Sequence, residues 1–232
     1  MTEAENAEAE NAAGGDTVSL LRRRPVLLAL VAVAIVLVGF TVGLVARIPL
    51  QDKAVVPNAV DVGFCQDMSV HHAQAVQMAG VELSGGADPD VRRLAYDILT
   101  TQQNQAGRMQ GWLQLWEKPT VGPDGYMGWM TETGGDHGMR HAGPMPSMPG
   151  MASPQEMAQL RRTTGPALDT LFLQLMLRHH RGGIPMTDYA GAHADTDAVR
   201  SLATSMGATQ QGEMQLMTEM LAARGATPLP LG

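Results

Sequence analysis

The sequence predicts an all-α protein: a four-helix bundle made of two repeated helical hairpins, preceded by one N-terminal transmembrane helix. Three observations predict this fold. An apolar run of 20 residues without a charge lies near the N-terminus, amphipathic helical periodicity runs through most of the remaining chain, and the periodic part occurs twice. Two copies of a helical hairpin are expected to pack as a four-helix bundle with a pseudo-two-fold axis.

The apolar run extends from Val26 to Val45, after three arginines at 22–24, and is closed by Arg47. Its length matches the roughly 30 Å core of a bilayer. The apolar region of a secretory signal is usually shorter and ends at a small-x-small cleavage site, to which residues 44–46 are a poor match. We therefore expect an uncleaved signal anchor, with a cleaved signal as the alternative.

Positive charge flanking a membrane span stays on the cytoplasmic side. The three arginines precede the span, so the N-terminus should be cytoplasmic and the main domain extracytoplasmic, on a single-pass protein of the cell membrane. The predicted organisation is a disordered cytoplasmic tail over 1–24, the transmembrane signal anchor over 25–47, a linker over 48–57 and a helical bundle domain over 58–225.

Composition restricts the function. The formal net charge is −7, which argues against a nucleic-acid partner, because phosphate binding needs clustered Lys and Arg. The single cysteine, Cys65, excludes an intrachain disulfide and zinc sites that need two thiolates. Cys65 is expected to be a small buried hydrophobe, with a thiolate ligand as the minority alternative. The 17 methionines either fill core gaps or supply soft metal ligands.

Within the bundle domain we predict helices over 58–84 and 88–117, then over 166–192 and 197–223. A Pro-, Gly- and Met-rich connection over 118–165 joins them. Ser153 and Glu156 form a capping box around Pro154, so a short helix should begin there.

The two helix pairs are copies of each other. A shift of 108 residues aligns 61–116 with 169–224 without a gap, and 16 positions are then identical. Convergent amphipathic composition does not explain matching His-His and Gln-Gln pairs. The matches in the first helices are Asp61/Asp169, Phe64/Phe172, Gln66/Gln174, Met68/Met176, His71/His179, His72/His180 and Met78/Met186, and those in the second helices include Gln102/Gln210, Gln103/Gln211 and Met109/Met217.

Candidate metal ligands follow from this pattern. His71 lies on an apolar stripe between Met68 and Met78, and His179 lies likewise between Met176 and Met186. His72 and His180 sit about 100° further round their helices. Antiparallel packing places both His-His pairs level with polar residues that interrupt the second helices, which are Gln102, Gln105, Gln210 and Glu213, with Met109 and Met217 close by.

Buried polar groups are costly unless they are satisfied. Two arrangements would satisfy these polar groups. One is a structural His-Gln-Glu network with no metal. The other is a metal site with the four histidines as primary ligands and Met68, Met78, Met176 and Met186 as soft ligands. Glu213, Gln102, Gln105, Gln210, Met109 and Met217 are the lesser candidates, as ligands or neighbours.

Copper is the metal we predict first. Imidazole together with thioether suits copper, and Met particularly suits Cu(I). Zinc at the histidines would not explain the methionines, and hard cations want more oxygen ligands. Di-iron bundles use Glu-x-x-His, which the chain lacks. No nucleophile-base arrangement is recognisable, so an enzyme, redox or oxygen-activating, ranks last.

The connection contains Met127, Met130, Met139, Met145, Met148, Met151 and Met157, with His137 and His141. Two interpretations of these methionines stay open. They either capture Cu(I) loosely in an exposed segment or cover the bundle as packing residues.

The pattern Asp-x-x-Phe-x-x-x-Met-x-x-His-His-x-x-x-x-x-Met, present from Asp61 and again from Asp169, resembles the family catalogued as domain of unknown function 305. The stretch 148–153 also resembles that family's link between repeats, and the match covers about residues 58–224. The resemblance implies a ferritin-like helical bundle that is exported or periplasmic. Some members of the family are implicated in copper binding and resistance.

The chain departs from the family pattern at three places. The family's Glu in the second helix is Glu213 in the second repeat but Gln105 in the first, Ala106 replaces an aliphatic residue, and Pro185 follows the second His-His pair. The Gln105 substitution predicts that the two repeats bind unequally if a carboxylate matters. Pro185 should kink its helix.

The function expected from the sequence is an extracytoplasmic, membrane-anchored protein that binds Cu(I) or Cu(II) for copper tolerance or delivery. The alternative is a non-catalytic structural or interaction module without metal.

Overall fold

The structure, a computed structural model, describes residues 25–45, 56–130 and 143–231. These residues contain six helices. They are α1 (Pro25–Val45), α2 (Ala59–Gly85), α3 (Pro89–Leu115), α4 (Pro154–Arg162), α5 (Gly165–His193) and α6 (Asp197–Ala223). These ranges contain no strand, and one isolated bridge pairs Tyr126 with Met145. The all-α prediction is confirmed, and the four hairpin helices begin and end within two residues of the predicted positions.

The chain divides into two compact units, 1–55 and 56–232. In the first unit α1 has 21 residues with a mean hydropathy of 2.9, and all of its described residues are exposed. At about 1.5 Å per residue such a helix is about 31 Å long, which is enough to cross a bilayer core. The predicted tail over 1–24 and most of the linker lie outside the described residues.

Local sequence fixes where the bundle helices begin. Asn58 caps α2 in a capping box with Asp61, and Ser153 caps α4 in the predicted box with Glu156. Asp88 caps α3 just before Pro89, and Thr196 caps α6. Each cap satisfies backbone N–H groups that have no partner inside the helix.

Two aspartates join the hairpins to each other. Asp61, near the start of α2, accepts hydrogen bonds from the backbone N–H groups of Asp195 and Thr196 in the α5–α6 turn. Asp169, near the start of α5, accepts from those of Ala87 and Asp88 in the α2–α3 turn. The donors, like the aspartates, are 108 residues apart, so each hairpin holds the turn of the other. Both aspartates are buried, and the contacts set α2 and α5 antiparallel.

The apolar core consists of two clusters. One contains Phe64 of α2 and residues from the C-terminal half of α5, and we call it the Phe64 cluster. The other contains Phe172 of α5 and residues from the C-terminal half of α2, and we call it the Phe172 cluster. On each of the four long bundle helices the two clusters are separated by polar residues near mid-helix.

The connection between the hairpins packs back onto α2 and α5. The buried Asp67 carboxylate accepts from the Met127 backbone N–H (2.6 Å) and from the Trp129 indole (2.7 Å). The Gln74 side chain makes a paired amide contact with the backbone of Ala152. Arg178 of α5 makes two hydrogen bonds to the carboxylate of Glu156 in α4.

Pro185 lies inside α5 without ending it. The helix continues from Gly165 to His193, and Met186 is fully buried in the Phe64 cluster. The carbonyl that loses its helical N–H partner is that of Arg181, whose residue is exposed to solvent. The expected interruption therefore leaves Met186 in the core.

Glu82 of α2 is fully buried beside Asp169, where the corresponding residue of the other repeat is Ala190. The pKa of Glu82 is raised to about 8, mainly by burial. The neighbouring Asp169 also raises this pKa, and its effect is larger than the opposing effect of Arg92 and Arg224. In the unfolded chain the carboxyl has its ordinary pKa near 4.5. The folded state therefore holds a proton that the unfolded state releases between these two values.

We predict that Glu82 lowers the free energy of unfolding as the pH rises from about 5 to about 8, because folding then requires proton uptake by its carboxyl. This contribution should be on the order of 2 kcal/mol after allowance for solvent screening. Buried histidines whose pKa values are lowered from 6.5 add an opposing dependence, so the contribution of Glu82 is measured as the difference in slope between the parent and Glu82→Gln in chemical denaturation across that range. An unchanged slope in the variant would contradict the assignment to Glu82.

Candidate metal centre

Four histidines form a layer across the middle of the bundle. His71 and His72 project from α2, His179 and His180 from α5, and all four are fully buried. The rings of His71 and His179 lie against each other with their centroids 3.7 Å apart. On each of the four long bundle helices the layer separates the Phe64 cluster from the Phe172 cluster. We call these four residues, together with Gln102, Gln105, Gln210 and Glu213, the histidine layer.

Three of the histidines share one hydrogen-bonding pattern. The Nε2–H of His72 donates to Gln105 Oε1 at 2.8 Å, and that of His180 donates to Glu213 Oε2 at 2.6 Å. The Nε2–H of His179 donates to the backbone carbonyl of His71 at 3.1 Å. The partners act as acceptors, so in each neutral ring Nε2 carries the proton and Nδ1 carries a lone pair. In all three rings Nδ1 is buried without a hydrogen-bond partner in the described part of the chain.

His71 differs from the other three because neither of its ring nitrogens has a hydrogen-bond partner among the described residues. Its ring lies beside Gly183, where an added Cβ would come 3.2 Å from His71 Cε1 and 2.9 Å from Gln210 Oε1. The side-chain oxygens of Gln102 and Gln210 also lack partners there. A turn of His71 about its side-chain bonds would therefore break no hydrogen bond.

Burial keeps the imidazoles of His71, His72 and His179 neutral. It lowers the pKa of His72 to about 4, against the opposing effect of the Gln105 hydrogen bond. It holds the pKa values of His71 and His179 well below the ordinary value, and the other histidines of the layer lower both further. A neutral imidazole keeps the lone pair that a metal ion needs.

Thioethers lie on both sides of the layer. Met68, Met109 and Met186 belong to the Phe64 cluster, and Met78, Met176 and Met217 belong to the Phe172 cluster. All six are fully buried. Each repeat contributes the same three positions, so the soft sulfur atoms are distributed evenly above and below the imidazoles.

The donor set fits a soft or borderline ion, since it combines neutral imidazole nitrogen with thioether sulfur. The side chains are not yet arranged around an ion. Among the described residues, no group of three or more His, Cys, Asp or Glu side chains is placed to hold one. Binding would require side chains of the layer to turn, and His71 is the one that loses no hydrogen bond by doing so.

The structure brings together the histidines with the predicted Gln and Glu residues at one level of the bundle. The sequence pattern does not predict that Asp61 and Asp169 bind the turn of the opposite hairpin. The identity of these two positions between the repeats is the signal that could have indicated such a role. Cys65 is fully buried, and burial raises its pKa to about 12, which agrees with a packing role rather than a thiolate ligand.

The described methionines of the connection are packing residues. Met127 and Met148 are buried in the Phe64 cluster, and Met157 is buried in the Phe172 cluster. Met130, Met145 and Met151 are partly buried against the Phe64 cluster. The contacts favour the interpretation that they cover the bundle. Met139, His137 and His141 lie outside the described residues.

Comparison with known families matches residues 61–221 to the model of a domain of unknown function, DUF305. This range includes both hairpins and the connection between them. The chain belongs to the DUF305 family. No curated protein matches this DUF305 chain.

Solved structures give the same assignment. A DUF305 protein from Streptomyces coelicolor is 42% identical, covers 74% of this chain and 97% of its own, and superposes with a TM-score of 0.66. A DUF305 fragment from Deinococcus radiodurans is 30% identical, with coverages of 73% and 99% and a TM-score of 0.59. CopM in its Cu(I)-bound form is 19% identical, with coverages of 70% and 96% and a TM-score of 0.53, and shares the fold.

Gly183→Ala is predicted to destabilise this DUF305 protein by about 1 kcal/mol or more, because the new methyl group crowds Gln210 and His71 in a packed layer. Gly80→Ala is the matched control, since a Cβ on this α2 glycine meets nothing within 4 Å. The control should gain up to about 1 kcal/mol from helix propensity. Thermal unfolding that shifts equally in the two variants would show that the layer has spare room.

Proposed function

We propose that this protein binds copper in the histidine layer, on the outer face of a membrane, and serves copper tolerance or delivery. One observation carries the proposal. Three buried imidazoles are each fixed through Nε2–H to an oxygen, and their Nδ1 atoms have no hydrogen-bond partner among the described residues. Metal-ligating histidines typically donate their other N–H to such an acceptor, which fixes the tautomer and the ring orientation.

Copper is favoured by the chemistry of the available donors. His72, His179 and His180 would supply Nδ1, His71 would supply either nitrogen after turning, and Met68, Met78, Met176 and Met186 would supply sulfur. A copper ion held there would be bound by soft and borderline ligands suited to both of its common oxidation states. CopM, which shares the fold, has been solved in Cu(I)-, Cu(II)- and Ag-bound forms.

The alternative is a structural module in which the layer only specifies packing. A structural network should satisfy its own polar atoms, because each buried unsatisfied nitrogen or oxygen costs about 1–3 kcal/mol. Five ring nitrogens of the layer have no partner among the described residues. This pattern favours a ligand over a self-sufficient network.

His71→Leu distinguishes the two functions. Under the copper proposal the variant should lose at least ten-fold in affinity for Cu(I), Cu(II) or both in anaerobic titration of the full-length chain in detergent. The metal-free variant should be about 1 kcal/mol more stable, because two unsatisfied buried nitrogens disappear. The structural alternative predicts the opposite: lower stability and no metal uptake by the parent protein.

A matched control is His193→Gln. His193 is an α5 histidine outside the layer that stacks on Tyr189 with ring centroids 4.3 Å apart. Its replacement should leave copper affinity within two-fold of the parent value, as an approximate threshold for an unaffected site. A loss as large as that of His71→Leu would move the binding site away from the histidine layer.

We further propose that α1 is an uncleaved membrane anchor. The support is its length, its mean hydropathy of 2.9 and the arginines that precede it. The protein in native membranes should resist extraction at alkaline pH and retain the mass of the full chain. Protease added from the outside should digest the bundle domain. Release into the soluble fraction with a mass that lacks residues up to about 46 would support the cleaved signal instead.

A further inference from the structure

The histidine layer has a charge on one side that its counterpart lacks. His180 donates to the Glu213 carboxylate at 2.6 Å, while His72, at the equivalent position of the first repeat, donates to the neutral Gln105 amide oxygen at 2.8 Å. Both acceptors lie 33 residues after their histidine. The two contacts have the same geometry and differ by one formal negative charge.

The thioethers add no charge to either half. The six candidate sulfur ligands form three pairs of equivalent positions, and all six are fully buried. The methionines of the second repeat without a copy in the first, which are Met206, Met214 and Met220, are also uncharged.

Among neighbouring charges, Arg178 is neutralised by its two hydrogen bonds to Glu156, and Arg181 is exposed to solvent. The buried Asp67 carboxylate, four residues before His71, accepts from the Met127 N–H and the Trp129 indole of the connection. Within the layer itself, Glu213 is therefore the group that makes the two halves electrostatically unequal.

A fixed negative charge favours ions in proportion to their own charge. The Coulomb energy between one carboxylate and a divalent ion is twice that with a monovalent ion at the same distance, and the low dielectric of a buried layer strengthens it. A carboxylate that accepts the imidazole N–H also makes the ring a stronger donor. A neutral amide provides the orientation without the charge.

We infer that the layer is polarised between the repeats: Glu213 makes the His180 half the position for divalent Cu(II), and the Gln105 contact makes the His72 half the position for monovalent Cu(I). Glu213 is a positioning residue in this assignment, because it acts through His180. The inference rests on the proposed function, since it concerns how the same layer distinguishes oxidation states.

The test compares Glu213→Gln with the double exchange Gln105→Glu/Glu213→Gln in the full-length chain. Affinities for Cu(I) and Cu(II) are measured separately by chelator competition, with Ag(I) as a redox-inert monovalent probe. Glu213→Gln should weaken Cu(II) binding at least ten-fold more than Cu(I) or Ag(I) binding. The reduction potential of bound copper should then rise by about 59 mV for each ten-fold difference, the one-electron conversion. The double exchange should restore the parent preference, because it only moves the charge to the other half.

Glu219→Gln is the matched control. Glu219 is an exposed carboxylate on the same helix, six residues further on, and it accepts from Gln215 at 3.0 Å. The Glu219→Gln variant also removes one carboxylate, but at a position outside the layer. It should therefore leave both copper affinities and the reduction potential unchanged. Equal losses of Cu(I) and Cu(II) affinity in Glu213→Gln, or a double exchange that fails to restore the preference, would overturn the polarised layer while leaving copper binding intact. Absence of copper uptake by the parent protein would instead overturn the proposed function itself.

Discussion

The structure depends on the burial of four imidazoles between two apolar clusters. Removing polar groups from water is unfavourable, and here the surrounding clusters leave no solvent to compensate. The contact that makes the arrangement workable is between His179 and His71, where an Nε2–H on α5 donates to a carbonyl of α2 and the two rings lie 3.7 Å apart. It joins the hairpins at mid-helix, between the two apolar clusters, where they present polar side chains.

The antiparallel pairing of α2 and α5 is held at its two ends as well as at its middle. Asp61 and Asp169 each bind backbone N–H groups of the opposite turn, so neither hairpin can slide along the other without leaving a buried carboxylate unpaired. A slide by one helical turn would also move the histidines into an apolar cluster. The end contacts and the central layer therefore enforce the same register, and this register brings the imidazoles of the two repeats together.

Much of this arrangement could be predicted from local pattern. The start of α4 followed from the Ser153 capping box, and antiparallel packing of each hairpin placed the His pairs level with Gln105 and Glu213. Other contacts could not be predicted, because they join segments that only the folded structure brings together. Asp61 meets Thr196 across 135 residues, and Asp67 meets Trp129 across a connection without periodicity. The ring nitrogen that each histidine leaves unpartnered also depends on side-chain geometry that no spacing encodes.

The duplicated hairpins keep some core positions unchanged and differ at others in charge or in space. Phe64 and Phe172, or Met68 and Met176, keep the same identity and the same complete burial. By contrast, Ala75 corresponds to Gly183, Glu82 to Ala190, and Gln105 to Glu213. The glycine makes room for the His71 ring, the extra carboxyl holds a proton beside one end contact, and the carboxylate adds charge to one half of the layer. Packing alone does not require the exchange of Gln105 for Glu213, whereas the proposed polarised layer depends on it.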